Sequence, residues 1–111
     1  GYITAYFNYF YKITKLFKVN RNNFNPVPNV DSAVIQLSKR NRTNKVKNEI
    51  YLSNFIKDSF QFKRKNLRNN LKKYDLVKIM EVLKNYNLDL NSRAEDISID
   101  VFIEIINKIT D

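Results

Sequence analysis

The spacing of apolar residues changes twice along the chain. From Tyr2 to Phe17, the residues Ile3, Tyr6, Phe7, Phe10, Ile13, Thr14 and Phe17 recur at intervals of three and four. That spacing predicts one helix with a broad apolar face. A helix so rich in aromatics needs cover from a sheet or a neighbouring domain. Leu16 to Val19 also reads as a short strand, followed by a polar turn at Arg21-Asn22-Asn23. Val30 to Leu37 then alternates with period two: Val30, Ser32, Val34 and Gln36 on one face, Asp31, Ala33, Ile35 and Leu37 on the other. Apolar residues fall on both faces, so this strand is expected to be covered on both sides.

Helical spacing returns in the second half. Ser38 to Asn48 is polar and basic without apolar periodicity, which suits a linker and a domain boundary. Asn48 is placed to cap a helix from Glu49 to about Phe62, with Leu52, Phe55, Ile56, Ser59 and Phe60 facing inward. Lys65 to Lys73 reads as a short helix with Leu67 and Leu71 as its buried contacts. Asp75 caps a helix through Tyr86, and Asn87 to Ser92 is a loop. Ser98 caps the last helix, whose apolar side is Val101, Phe102, Ile105, Ile106 and Ile109. The predicted class is α+β: an N-terminal helix and antiparallel edge strands over residues 1–40, then a small all-α bundle over residues 41–111.

Composition narrows the chemistry. The 111 residues contain no Cys and no His, which removes disulfides, thiolate sites, the usual metal ligand and the usual general base at neutral pH. Gly1 is the only glycine, so no Gly-rich phosphate loop exists here. No metal site and no cofactor site is expected within the chain, and no apolar run has the length of about 20 residues that a membrane helix needs. The net charge of +9 is concentrated: Lys39 to Lys73 holds 12 Lys/Arg against Glu49 and Asp58 alone. Such a block suits a polyanion, although a merely solvated face has the same composition. Its densest part is Lys63-Arg64-Lys65 with Arg68. Helical spacing would set Arg64 and Arg68 one turn apart on one face, with Asn66, Asn69 and Asn70 as neutral hydrogen-bonding groups. Arg68 and Asn69 suit a structural role, tying helices together, equally well. Arg93 and Glu95 read as fixing the loop before the last helix.

Phe24 stands just before two alternate prolines, Pro26 and Pro28. Each proline fixes its own φ and biases its predecessor to extended geometry, so the loop is stiff and the ring is presented in a fixed direction. Either it offers a planar surface to a ligand or it plugs a core between domains.

Three stretches together resemble one family. F-x-P-x-P-x-V-D-S-A-V-x-x-L spans Phe24 to Leu37, F-x-x-x-R-K-x-L-R-N-N-L spans Phe60 to Leu71, and R-A-E-x-x-S spans Arg93 to Ser98. In this order they resemble the rRNA adenine dimethyltransferases of the bacterial small subunit. The departures are small: Asn66 where the family usually has Thr, and Lys63 and Asn29 in place of common Arg and Lys.

The resemblance implies that the chain, which begins at Gly1 and not Met, is the C-terminal part of a longer enzyme. Residues 1–40 would close a Rossmann-like methyltransferase domain and residues 41–111 would form its helical rRNA-binding domain. The whole enzyme would transfer methyl groups from S-adenosylmethionine to the exocyclic amine of adenines in 16S rRNA during ribosome biogenesis. Its cofactor loop and Asn-Leu-Pro-Tyr motif would lie upstream, leaving this part inactive alone. Phe24 matches the family aromatic that stacks on the flipped adenine; Lys63, Arg64, Lys65, Arg68 and Asn69 are expected, from their charge and hydrogen-bonding groups, to contact the RNA. The implied partner is small-subunit rRNA or the immature small subunit, met in the cytoplasm by a monomer. Three other readings share the pattern: a resistance-type 23S rRNA adenine methyltransferase, a mitochondrial transcription-factor relative, and a non-enzymatic basic helical RNA-binding module.

Overall fold

The computed structural model describes residues 1–111. The elements are α1 (Tyr2–Phe10), β1 (Tyr11–Val19), β2 (Ser32–Lys39), α2 (Glu49–Ser59), α3 (Leu67–Asn70), α4 (Leu76–Leu83) and α5 (Ile99–Ile109). Single 3-10 turns lie at Arg21–Asn23, Lys84–Tyr86 and Ala94–Asp96. The chain divides into two compact units: Gly1–Tyr9 with Arg42–Asp111, and Phe10–Asn41.

The helix expected over Tyr2–Phe17 ends at Phe10, and the rest of that stretch is strand. Tyr11 to Val19 satisfies both periods on paper. Its β-branched and aromatic residues (Tyr11, Ile13, Thr14, Phe17, Val19) suit a pleated surface, and pairing with β2 decides the outcome. The two strands form an antiparallel ribbon with Tyr11 opposite Lys39, Ile13 opposite Leu37 and Lys15 opposite Ile35. A bulge between Lys15 and Phe17 then shifts the register, setting Phe17 opposite Val34 and Val19 opposite Ser32. Residues directly opposite share a face, so Ile13, Ile35 and Leu37 lie on one side and Phe17 and Val34 on the other. The two-sided apolar pattern was legible, but the expected cover is not supplied by these residues. Every residue of β2 is exposed, because the ribbon has only two strands and no second layer of its own.

The connection between the strands is closed by short local contacts. Asn20 caps the 3-10 turn by accepting from the Asn22 N–H at 2.9 Å. Asp31 accepts from the Arg21 N–H at 2.7 Å and pairs with Lys18 Nζ at 3.2 Å. The Arg21 guanidinium donates to the Asn29 carbonyl at 3.2 Å.

In the helical unit, α2, α4 and α5 bury Leu52, Phe55, Ile56, Ile79, Leu83, Phe102, Ile105 and Ile106 almost completely. Phe55 and Phe102 meet edge-on with centroids 6.2 Å apart, and Tyr74 lies edge-on to Phe55 at 4.9 Å. The expected caps form: Asn48 accepts from Ile50 and Tyr51 N–H, Asp75 from Lys78 N–H, and Ser98 from Val101 N–H. Helix α2 stops at Ser59 and not near Phe62, since Phe60 turns its N–H back to the last carbonyls of α2.

A side chain that composition assigned to a basic linker helps to fasten helix α1 to this unit. Arg42 donates from Nε to the Tyr9 carbonyl at 2.6 Å and from Nη2 to the Asn8 carbonyl at 2.8 Å. Its Nη1 donates to Asp100 Oδ1 at 3.0 Å. The Tyr9 ring lies under the guanidinium, 5.3 Å away, and the Tyr9 hydroxyl accepts from the Val46 N–H. With its side chain 7% exposed, Arg42 serves as the missing C-cap of α1 and is withdrawn from the cationic surface.

Removing Arg42 strands two helix-end carbonyls. Arg42→Met is expected to lower unfolding free energy by about 2–4 kcal/mol in a denaturant titration. Asp100→Asn should cost under about 1 kcal/mol, because that carboxylate is 68% exposed. Equal losses would contradict the capping role. A second expectation concerns pH. The Asp31 carboxyl is held below the ordinary value of 3.8, first by the Arg21 N–H and then by Lys18. The loop order it confers is therefore present at neutral pH and is lost as pH falls through that lowered value. The Arg21 amide resonance should shift below pH 3.8; a midpoint at or above it would contradict the contact.

Candidate RNA interface

The cationic cluster sits on the loop between α2 and α3, and one buried amide sets the path of that loop. Asn70 donates from Nδ2 to the carbonyls of Ser59 at 2.9 Å, Phe62 at 3.2 Å and Lys65 at 3.5 Å. Its Oδ1 accepts from the Phe62 N–H at 3.3 Å. Both N–H groups of the side chain and one acceptor site of its oxygen are thus spent on backbone at the end of α2 and in the loop. The loop's far end is fixed as well: Leu67 N–H donates to the Ser92 carbonyl and Arg68 N–H to the Leu90 carbonyl. Asn66 caps α3, accepting from the Asn69 N–H at 3.1 Å.

The loop presents Lys63, Arg64 and Lys65 to solvent. None of the three has a carboxylate partner within 4.0 Å. Lys65 Nζ instead lies 5.1 Å from the centroid of the Phe62 ring, which is 51% exposed. Other cations of the basic block are engaged elsewhere. Lys73 pairs with Asp58 at 3.0 Å, and Arg40 donates to the Tyr11 carbonyl. Asp58 also accepts from the Tyr74 hydroxyl at 2.6 Å. Burial and this bond raise the Tyr74 pKa well above 10, while the hydroxyl and Lys73 outweigh burial and lower that of Asp58.

The expected grouping changes in several respects. Arg64 is not on a helix, so it does not stand one turn from Arg68; α3 begins only at Leu67. Arg68 is exposed and faces a separate groove of about 670 Å³ that it lines with Leu76, Met80 and Leu90. Asn69 remains exposed but donates its side-chain N–H to Asn66 Oδ1 at 2.7 Å, a contact at the helix start. Asn70, read as a possible ribose or phosphate contact, is buried and structural. Conversely, Arg93 lines a cavity of about 300 Å³ together with Lys63 and Lys65. The signal for it was available in the R-A-E stretch, but the long-range approach was not. Phe24, in the other unit, is 43% exposed, with extended backbone and its N–H donating to the Arg21 carbonyl at 3.2 Å.

Comparison with known proteins decides the family. The family model for "Ribosomal RNA adenine dimethylase" matches residues 1–111. The chain belongs to the ribosomal RNA adenine dimethylase family. It is 41% identical to "Ribosomal RNA small subunit methyltransferase A" of Fusobacterium nucleatum, over 96% of the chain and 42% of that protein. It is 45% identical to the protein of that name from Ureaplasma urealyticum, over 88% of the chain and 35% of the relative. The chain thus spans well under half the length of these relatives. Among solved structures, the 23S rRNA methyltransferase ErmE superposes with a TM-score of 0.75 at 18% identity, covering all of the chain and 46% of ErmE. A dimethyladenosine transferase from Plasmodium falciparum gives 0.65 at 22% identity, over 99% of the chain and 48% of its own. At these identities the structures establish a shared fold.

S-adenosylmethionine, which the resemblance implies for the whole enzyme, finds no fitting set of residues here. The cavities are lined by helix faces and loop cations, with no glycine-rich turn to admit a nucleoside and its carboxylate.

Asn70 makes the interface testable without touching its charge. Asn70→Leu keeps volume but leaves the Phe62 N–H and the Ser59 carbonyl unpaired, so stability should fall by about 2–3 kcal/mol. The Phe62 amide should exchange with solvent faster while the Phe55 amide stays protected. Unchanged exchange at Phe62 would contradict the pinning.

Proposed function

We propose that the chain is the C-terminal part of an S-adenosylmethionine-dependent rRNA adenine N6,N6-dimethyltransferase acting on small-subunit (16S) rRNA. Residues 1–40 complete its catalytic domain and residues 41–111 position the RNA. The observation that carries this reading is the exposed, carboxylate-free Lys63-Arg64-Lys65 loop, whose backbone is fixed by a buried amide, in a chain of this family. A fixed loop pays little ordering cost when it meets phosphate, and Arg64 offers a planar fork where the lysines offer point charge. Arg68 and Asn69, exposed on α3 apart from this loop, offer further contacts.

Phe24 supplies the chain's own contribution to chemistry. An adenine removed from its stack loses a few kcal/mol and needs a planar apolar surface in return. Stacking on a ring returns about 1–3 kcal/mol. Half-exposed, on extended backbone ahead of Pro26 and Pro28, Phe24 can hold the base flat while its exocyclic amine meets the methyl donor. The donor site and the groups that orient the amine belong to the remainder of the enzyme, so these residues are inactive alone. The whole protein acts as a cytoplasmic monomer on the immature small subunit. Small-subunit specificity is favoured over a 23S target because both relatives described above carry the small-subunit name.

In the whole enzyme, Phe24→Ala should lower methyl transfer to a small-subunit rRNA substrate by about 10- to 100-fold and leave cofactor affinity within about twofold. Unchanged turnover would remove the stacking role. Replacing Arg64 and Lys65 together by alanine should reduce the slope of log K against log salt by about 1–2. An unaltered slope would place the RNA elsewhere.

A further inference from the structure

We propose that Phe62 is a stacking platform for one unpaired nucleobase of the bound RNA, with the adjoining phosphate held by Lys63 and Arg93. This rests on the RNA-binding reading above and adds a nucleotide site to it, distinct from Phe24. A ring 51% exposed on a polar loop leaves about half of its apolar surface in water. Yet its backbone is among the most constrained in the loop, since Asn70 accepts from the Phe62 N–H and donates to the Phe62 carbonyl. Phe62 is therefore held in place without being used by the core.

Its surroundings have the chemistry of a nucleotide. The cavity of about 300 Å³ is lined by Phe60 and Phe62, by Lys63, Lys65 and Arg93, and by one carboxylate, Glu95. Glu95 lies 4.0 Å from Arg93 Nη1, leaving the lysines without a partner. The volume sits at the small end of small-molecule sites, about 300–1,000 Å³, enough for one base. Lys65 already rests 5.1 Å from the Phe62 ring, so a π face and positive charge are presented together. A ligand with a planar face beside a negative group answers both; an acidic peptide answers only the charge. Bases in a continuous helix are stacked on one another and present phosphate and ribose alone, so the ring would recognise an unpaired position.

The test compares two RNAs on the whole protein: a hairpin with unpaired loop nucleotides and a blunt duplex of equal length, each by fluorescence anisotropy. Phe62→Leu, which keeps apolar bulk and removes the ring, should weaken hairpin binding about 5- to 100-fold and duplex binding less than about twofold. Phe62→Tyr should restore hairpin affinity. Arg93→Ala should weaken both RNAs. Equal loss on the two RNAs with Phe62→Leu, or no loss on either, overturns the stacking site while salt-sensitive binding by the unaltered protein keeps the RNA reading intact. An unaltered protein that binds neither RNA overturns both.

Discussion

The side-chain amide of Asn70 is the constraint on which the proposed interface depends. A loop of seven residues, 60–66, carries three adjacent cations, and like charges at such spacing push the chain toward open conformations. Four hydrogen bonds from one buried carboxamide oppose that. The amide stands in for the helical turns that α2 stops supplying at Ser59 and that α3 resumes at Leu67. The loop backbone is thereby pinned at Phe62 and Lys65, and Lys63, Arg64 and Lys65 present charge outward. An Asp at this position would accept but not donate, and three carbonyls would lose their partner.

Arg42 applies the same logic at the other end of the helical unit. Both residues are polar side chains, drawn from motifs or charge runs that invite a surface reading, that instead satisfy backbone left over where a helix ends. The consequence for charge is direct. The basic block from Lys39 to Lys73 is not uniformly available: the Arg42 side chain is buried and Arg40 and Lys73 are engaged, whereas Lys63, Arg64 and Lys65 on the α2–α3 loop have no carboxylate partner. Net charge located the region; hydrogen bonding selected the residues within it.

What the sequence revealed follows the range of the interaction. Caps at Asn48, Asp75 and Ser98 were legible because each acts on N–H groups two or three residues away. The helical bundle was legible because its apolar stripes keep one period. Tyr11 to Val19 was not, since its apolar residues match both periods and the partner strand that chooses between them begins at Ser32. The contacts of Arg42 with Asn8 and Tyr9 span more than 30 residues, and the cavity joining Lys63 to Arg93 spans 30, so neither left a local trace. Family resemblance pointed to Phe24 and charge density to the Lys63-Arg64-Lys65 run, but neither gave a means of separating Asn69, exposed at a helix start, from Asn70, buried beneath the loop.

The central claim is that the pinned loop is the face on which RNA rests. Hydrogen–deuterium exchange of the whole protein, with and without a small-subunit rRNA hairpin that has unpaired loop nucleotides, tests it most directly. Binding should slow exchange over residues 60–66 and around Arg93, and leave the outer face of α5 unchanged. Slowing confined to α4 and α5, with residues 60–66 unaffected, would contradict it.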